Sequence, residues 1–164
     1  MEVGKLMVLL LFVIGVESLE MRTWGSGSGS DPSVVSLDCG KHTMAPNTRV
    51  TIQTPNYPNN YDESYRCQWE IYCNSVENTT LTMVCPDFEL EDSTDCTADR
   101  LIIKDHDSRD VICGDDNPDG TTTVSGFIRL TFWSNIITGT TAMGFRCHIW
   151  CFPKPGTINL PCIC

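Results

Sequence analysis

The chain has 164 residues, 10 of them cysteine, and a formal net charge of -10. That length suits one domain, and an even cysteine count points to a disulfide framework if the chain is exported. With no basic face expected to neutralise phosphates, nucleic acid is not an expected partner.

At the N-terminus Lys5 precedes the apolar run Leu6 to Val16, which ends in Val16-Glu17-Ser18. The run is too short to span a bilayer, and small or compact residues follow it. This predicts a secretory signal peptide over residues 1–18 and a secreted, extracellular chain. No later stretch is apolar enough for a transmembrane helix, so membrane insertion is not expected. Residues 19–38 include Gly25-Ser26-Gly27-Ser28-Gly29-Ser30, a flexible linker by composition. The folded part is expected to start near Cys39.

From there the pattern is that of strands. Arg49 to Gln53 alternates and stops before Pro55, and the segment from Thr54 to Tyr61 is rich in turn formers. Arg66 to Cys73 alternates with period two, placing Cys67, Trp69, Ile71 and Cys73 on one face. A polar loop over Asn74 to Asn78 leads to a strand from Thr79 to Cys85 with Leu81, Met83 and Cys85 on a common face. Leu101-Ile102-Ile103 is a further strand, Asp115 to Gly120 a solvated turn, and Thr121 to Trp133 one or two strands with Ile128, Leu130 and Phe132 aligned. After a loop from Thr138 to Met143, the last strand, Phe145 to Cys151, aligns Phe145, Cys147, Ile149 and Cys151. Short strands with regular turn signals and no helical window predict an all-β fold, a two-sheet sandwich.

Acid is unevenly placed. Twelve of the 21 acidic residues lie between Asp87 and Asp119, and none follows. Such a run is ordinarily a solvated face, and here a cation or a basic partner is worth weighing. The cysteine spacing is not that of a zinc ribbon, since Cys147-His148-Ile149-Trp150-Cys151 and Cys162-Ile163-Cys164 lack the paired Cys-x-x-Cys pattern. The run from Asp115 to Gly120 imitates the start of an EF-hand loop, but position 126, where the bidentate glutamate belongs, is Gly126.

Several stretches together resemble the CUB domain family. Cys39, Ile52-Gln53-Thr54-Pro55-Asn56-Tyr57-Pro58-Asn59-Asn60-Tyr61 and Cys67-Gln68-Trp69-Glu70-Ile71 are similar to its first half. Phe88-Glu89-Leu90-Glu91, Cys96 to Asp99, Leu101-Ile102-Ile103 and Cys113-Gly114 are similar to its middle, and Phe132-Trp133-Ser134-Asn135 with Gly144-Phe145 to its end. The match covers about residues 39–151 and leaves 152–164 as a cysteine-containing tail. The resemblance implies a disulfide-stapled jelly-roll sandwich of two antiparallel sheets, with pairs Cys39–Cys67 and Cys96–Cys113. In the family's sheet order the strands bearing Cys85 and Cys147 are neighbours, so these two are expected to pair. Cys73 and Cys151, inward near strand ends, are a further candidate pair. Cys162 and Cys164 then pair elsewhere, or one of them forms an intermolecular disulfide.

Many CUB domains hold one Ca²⁺ at the end of the sandwich. Carried over residue by residue, the resemblance makes Glu91, Asp99 and Asn135 the metal ligands, with Tyr61 behind the glutamate. Asn135 stands where calcium-binding members have aspartate, and an asparagine offers a carbonyl oxygen without charge. The competing reading is a metal-free site in which Glu91 and Asp99 accept hydrogen bonds from loop amides and Tyr61.

No catalytic motif surrounds His42, His106 or His148, so an enzyme is not expected. Asn78-Thr79-Thr80 is an N-glycosylation acceptor at an expected hairpin tip. Trp69 reads as core; Trp133 and Trp150 are either an exposed patch or covered by loops. The function that follows is a secreted protein-binding module, Ca²⁺-dependent, for an extracellular protein with an exposed Lys or Arg. A stand-alone chain of this length also resembles the small single-CUB proteins of venom and seminal fluid, which makes such a component an expectation. The alternative is the truncated or diverged regulatory part of a trypsin-like serine protease, suggested by the tail Pro161-Cys162-Ile163-Cys164, which resembles a linker in arthropod enzymes.

Overall fold

Alternation between apolar and polar side chains becomes nine strands in the computed structural model, which describes residues 35–136 and 142–156. The expected signal peptide, the linker through Val34, most of the loop after Thr138, and Cys162 and Cys164 lie outside the described residues. The strands are β1 (Val35–Ser36), β2 (Gly40–Met44), β3 (Arg49–Gln53), β4 (Arg66–Cys73), β5 (Thr79–Glu89), β6 (Arg100–Lys104), β7 (Arg109–Ile112), β8 (Phe127–Trp133) and β9 (Gly144–Pro153). They form a four-stranded sheet, β1-β3-β9-β5, against a five-stranded sheet, β2-β4-β8-β6-β7. The only helical pieces among the described residues are 3₁₀ turns at Val76–Asn78 and Thr94–Cys96.

The inward faces are those read from the pattern. Trp69, Ile71, Leu81, Met83, Ile128, Leu130, Phe132, Phe145 and Ile149 are almost wholly buried between the sheets. Trp69 also donates its indole N–H to the Leu37 carbonyl at 3.1 Å, satisfying its one polar atom.

Four expectations need correction. The sheets are not wholly antiparallel: β1 pairs with β3 and β2 with β4 in parallel. A parallel pair needs a crossover, and here each intervening strand lies in the opposite sheet and serves as one. Part of the linker is ordered, because Val35 and Ser36 pair with Val50 and Thr51. β5 continues past Cys85 to Glu89, because a bulge between Val84 and Asp87 absorbs Pro86, which has no N–H for the ladder. The turn at Asp115 to Gly120 is more than a solvated loop: the Cys85 N–H reaches the Asp119 carboxylate at 3.1 Å and the Asn117 amide donates to the Cys85 carbonyl at 2.9 Å. The chain then runs beside β5, exchanging backbone bonds with Met83 and Leu81, and so covers an edge that would otherwise be open.

β7 has no counterpart in the sequence reading. It forms a hairpin with β6 over a turn in which one oxygen of Asp105 accepts the N–H groups of Asp107 and Ser108, each at 2.8 Å. Burial acts to raise the Asp105 pKa, but these backbone bonds outweigh it and hold the carboxyl below its ordinary value.

Candidate functional site

The end of the sandwich where β8 runs out is assembled from loops that the fold pins separately. The Ser134 hydroxyl donates to the Asp62 carbonyl at 2.7 Å and accepts the Tyr65 N–H at 2.9 Å, fastening the loop before β4 to the end of β8. The Asn135 carbonyl accepts the Ser64 N–H at 2.6 Å. The exit of β5 is held by the Leu90 N–H on the Gly114 carbonyl at 2.8 Å. Disulfide Cys96–Cys113 ties the loop before β6 to the end of β7, and the Ala98 N–H bonds to the Ser93 hydroxyl at 2.9 Å within that loop.

Four side chains from four segments meet there in a closed ring of hydrogen bonds. The Glu91 N–H donates to the Tyr61 hydroxyl at 3.1 Å, and that hydroxyl donates to Oδ2 of Asp99 at 2.5 Å. Oδ1 of Asp99 accepts the Asn135 N–H at 2.8 Å, and Nδ2 of Asn135 donates to Oε2 of Glu91 at 3.2 Å. Asp99 is 1% exposed and Tyr61 3%; Glu91 is half-buried. Tyr61 therefore touches the backbone of Glu91 and gives its proton to Asp99 rather than to the glutamate's carboxylate. Tyr61 meets Phe132 edge-on, 5.2 Å between centroids, which seats the phenol in the core while its oxygen faces the loops.

The donor set suits a hard cation: two carboxylates and a side-chain carbonyl. Among the described residues no three His, Cys, Asp or Glu side chains gather at one point, because the third member here is an amide. Its nitrogen faces Glu91, so metal ligation through Asn135 needs Oδ1 turned there instead. Exposed Asp62, Glu63, Asp92 and Asp95 belong to the same loops, which adds negative potential around the ring.

The remaining singled-out residues lie elsewhere. Cys39–Cys67, Cys73–Cys151 and Cys85–Cys147 are disulfides, as is Cys96–Cys113. Asn78 is exposed at the opposite end of the sandwich. Trp133 and Trp150 are half-buried and covered by arginines, Arg100 lying 4.1 Å from the Trp133 centroid and Arg49 5.6 Å from that of Trp150. The histidines are far apart in role: the His42 ring meets the Asp38 carbonyl, His106 packs edge-on to Phe127, and His148 bonds the Thr51 hydroxyl at 2.9 Å. Burial, with Arg49 and Arg146 nearby, holds the His148 pKa below its ordinary value. The sequence reading gave no role to Ser134, although it quoted the residue. A serine directly after a strand and before a polar ligand candidate was the available signal.

Comparison with known proteins agrees with this architecture. The family model described as CUB domain matches residues 39–148. Human cubilin is 32% identical over 102 residues, covering 59% of this chain and 3% of that protein. Human tumor necrosis factor-inducible gene 6 protein is 32% identical over 116 residues, covering 66% and 39%. The chain thus spans only a small part of the length of these relatives. Among solved structures, the MASP-1 CUB2 domain bound to Ca²⁺ superposes with a TM-score of 0.58 at 26% identity, covering 68% of this chain and 98% of that one. The extracellular region of zebrafish Gpr126/Adgrg6 superposes with a TM-score of 0.60 at 24% identity, covering 71% and 15%. With the family model spanning most of the chain and the sandwich, bulge and loop cluster in place, the chain belongs to the CUB domain family.

Proposed function

We propose that the chain is a secreted protein-binding module that receives a lysine or arginine of an extracellular partner at the Glu91–Asp99–Asn135 end, with Ca²⁺ held weakly at the same place. The observation that carries this reading is the convergence of two carboxylates and an amide over buried Tyr61, inside a rim of exposed acids. Glu91, Asp99 and Oδ1 of Asn135 would hold the ion, and Tyr61 would keep Asp99 aimed. The ion would supply charge that draws the three loops together. Asp62, Glu63, Asp92 and Asp95 remain to pair with a basic side chain. The MASP-1 CUB2 domain, a structural neighbour, binds Ca²⁺, which supports calcium here. CUB domains are non-catalytic binding modules. Asn78, exposed at the far end, would carry a glycan without covering the site.

Extracellular modules bind Ca²⁺ with Kd of about 10⁻⁴–10⁻³ M, and a site with fewer charged ligands sits at the weak end. The Asn135-to-Glu91 hydrogen bond favours a second reading: the amide N–H takes the place of the ion, and the partner's basic side chain binds without metal.

Calorimetric Ca²⁺ titration of the secreted chain and of Asn135→Asp separates the two. Weak saturable heat from the natural chain, and binding at least tenfold tighter in the variant, is the expected result. Heat from the variant alone selects the metal-free reading. Heat from neither removes the site as a metal centre.

A further inference from the structure

The acidic composition hides a basic face. Strand register aligns Lys41 with Glu70, Glu70 with Arg129, Arg129 with Lys104, and Lys104 with Arg109, in one row across all five strands of the β2-β4-β8-β6-β7 sheet. Four spacings of about 4.8 Å make the row about 19 Å long. A second row sets Arg66 and Arg100 on either side of Trp133. Six of the nine Lys and Arg residues in the described chain thus lie on the outer side of one sheet. The expectation that the molecule has no basic face is corrected here: net charge does not report where charge lies, and the pairing register does.

Opposing acid on this face is slight. Glu70 is the only acid at an outward strand position, and its carboxylate pairs with Arg129 at 2.9 Å. Asp110 lies next to Arg109, but it is paired with buried Ile103, so it is on the other side of the edge strand. Lys41, Arg66, Lys104 and Arg109 are exposed, and Arg66, Lys104 and Arg109 form no ion pair among the described residues. Beside the charged row lie the half-buried rings of Tyr72 and Phe127, 4.9 Å apart at their centroids. Lys41 sits 4.5 Å over the Tyr72 ring.

We propose that this face binds a linear sulfated polysaccharide along the Lys41–Arg129–Lys104–Arg109 row. Guanidinium and ammonium groups match sulfate oxygens as they match phosphate. The row is continuous across the sheet and open to solvent, as a chain with repeated anions requires, and the adjacent rings offer flat surface for sugar faces. An acidic folded protein fits less well, because protein interfaces depend on buried apolar anchors. The exposed large apolar side chains, Val124, Ile136, Met143 and Phe152, all lie off these strands.

The test is salt elution of the full secreted chain from immobilised heparin, with chemically desulfated heparin as a second matrix. The natural chain should be retained on heparin only. Lys104→Ser with Arg109→Ser should weaken binding at least tenfold and lower the salt slope by about two. Arg49→Ser with Lys154→Ser, an equal loss of charge away from the face, should bind as the natural chain does. Lys104→Arg with Arg109→Lys should keep binding, and unchanged melting midpoints would show the variants folded. No retention on heparin, equal loss in both serine pairs, or displacement by poly-L-glutamate or an oligothymidylate at equal charge concentration would overturn the proposal.

Discussion

Asp99 is a carboxylate at 1% exposure, a position tolerated only because each of its oxygens receives a hydrogen bond. Removing it takes away the carboxylate to which the Tyr61 hydroxyl and the Asn135 N–H donate. Asp99→Ala is expected to cost about 2–6 kcal/mol, at about 1–3 kcal/mol for each of the two buried donors that lose this acceptor. Urea denaturation checks this; a loss under 1 kcal/mol would mean that the ring contributes nothing to stability. Glu91, Asp99 and Asn135 could each be picked out in the sequence because the family resemblance carries its ligand positions onto them. The ring they form could not. Which face of the Asn135 amide meets Glu91, and which acceptor the Tyr61 proton chooses, depend on four loops that only the folded sheets bring together. The two loop partners of Ser134, the Asp62 carbonyl and the Tyr65 N–H, were hidden for the same reason.

At the scale of elements, the central strands were legible because their alternation was clean. β4, β8 and β9 each bury every second residue. β2 and β7 were not, because both are edge strands with polar or charged residues at most positions and only one fully buried side chain each. Among the four described disulfides, Cys73–Cys151 alone joins the two sheets, linking β4 to β9 across 78 residues of sequence. Loop-closure entropy puts its contribution near 4 kcal/mol. Cys73→Ala with Cys151→Ala should therefore destabilise the sandwich by about 2–5 kcal/mol in denaturant melts, and by more than the same change at Cys96 and Cys113, whose separation is 17. The reverse order would show that strain or denatured-state structure, rather than loop length, governs these staples.

Across the whole molecule, charge is sorted by region. Acids crowd the loops around Asn135, cations line the outer side of one sheet, and the acceptor Asn78 sits at the end remote from the ring. A count of charges gives only the sum of these, which is why the net charge of -10 did not reveal the basic face. The family and the acidic cluster could be read from the order of residues along the chain; the basic face required the register that pairs Lys104 with both Arg109 and Arg129.

We propose the ring at the end of the sandwich as a cation site. Its most direct test is a Ca²⁺ titration of the ¹⁵N-labelled chain followed by amide resonances. The Glu91 N–H rests on Tyr61 and the Asn135 N–H on Asp99, so both should shift together on a single millimolar isotherm, with the Asp115–Gly120 turn unmoved. Still resonances at Glu91 and Asn135, or shifts confined to that turn, would contradict it.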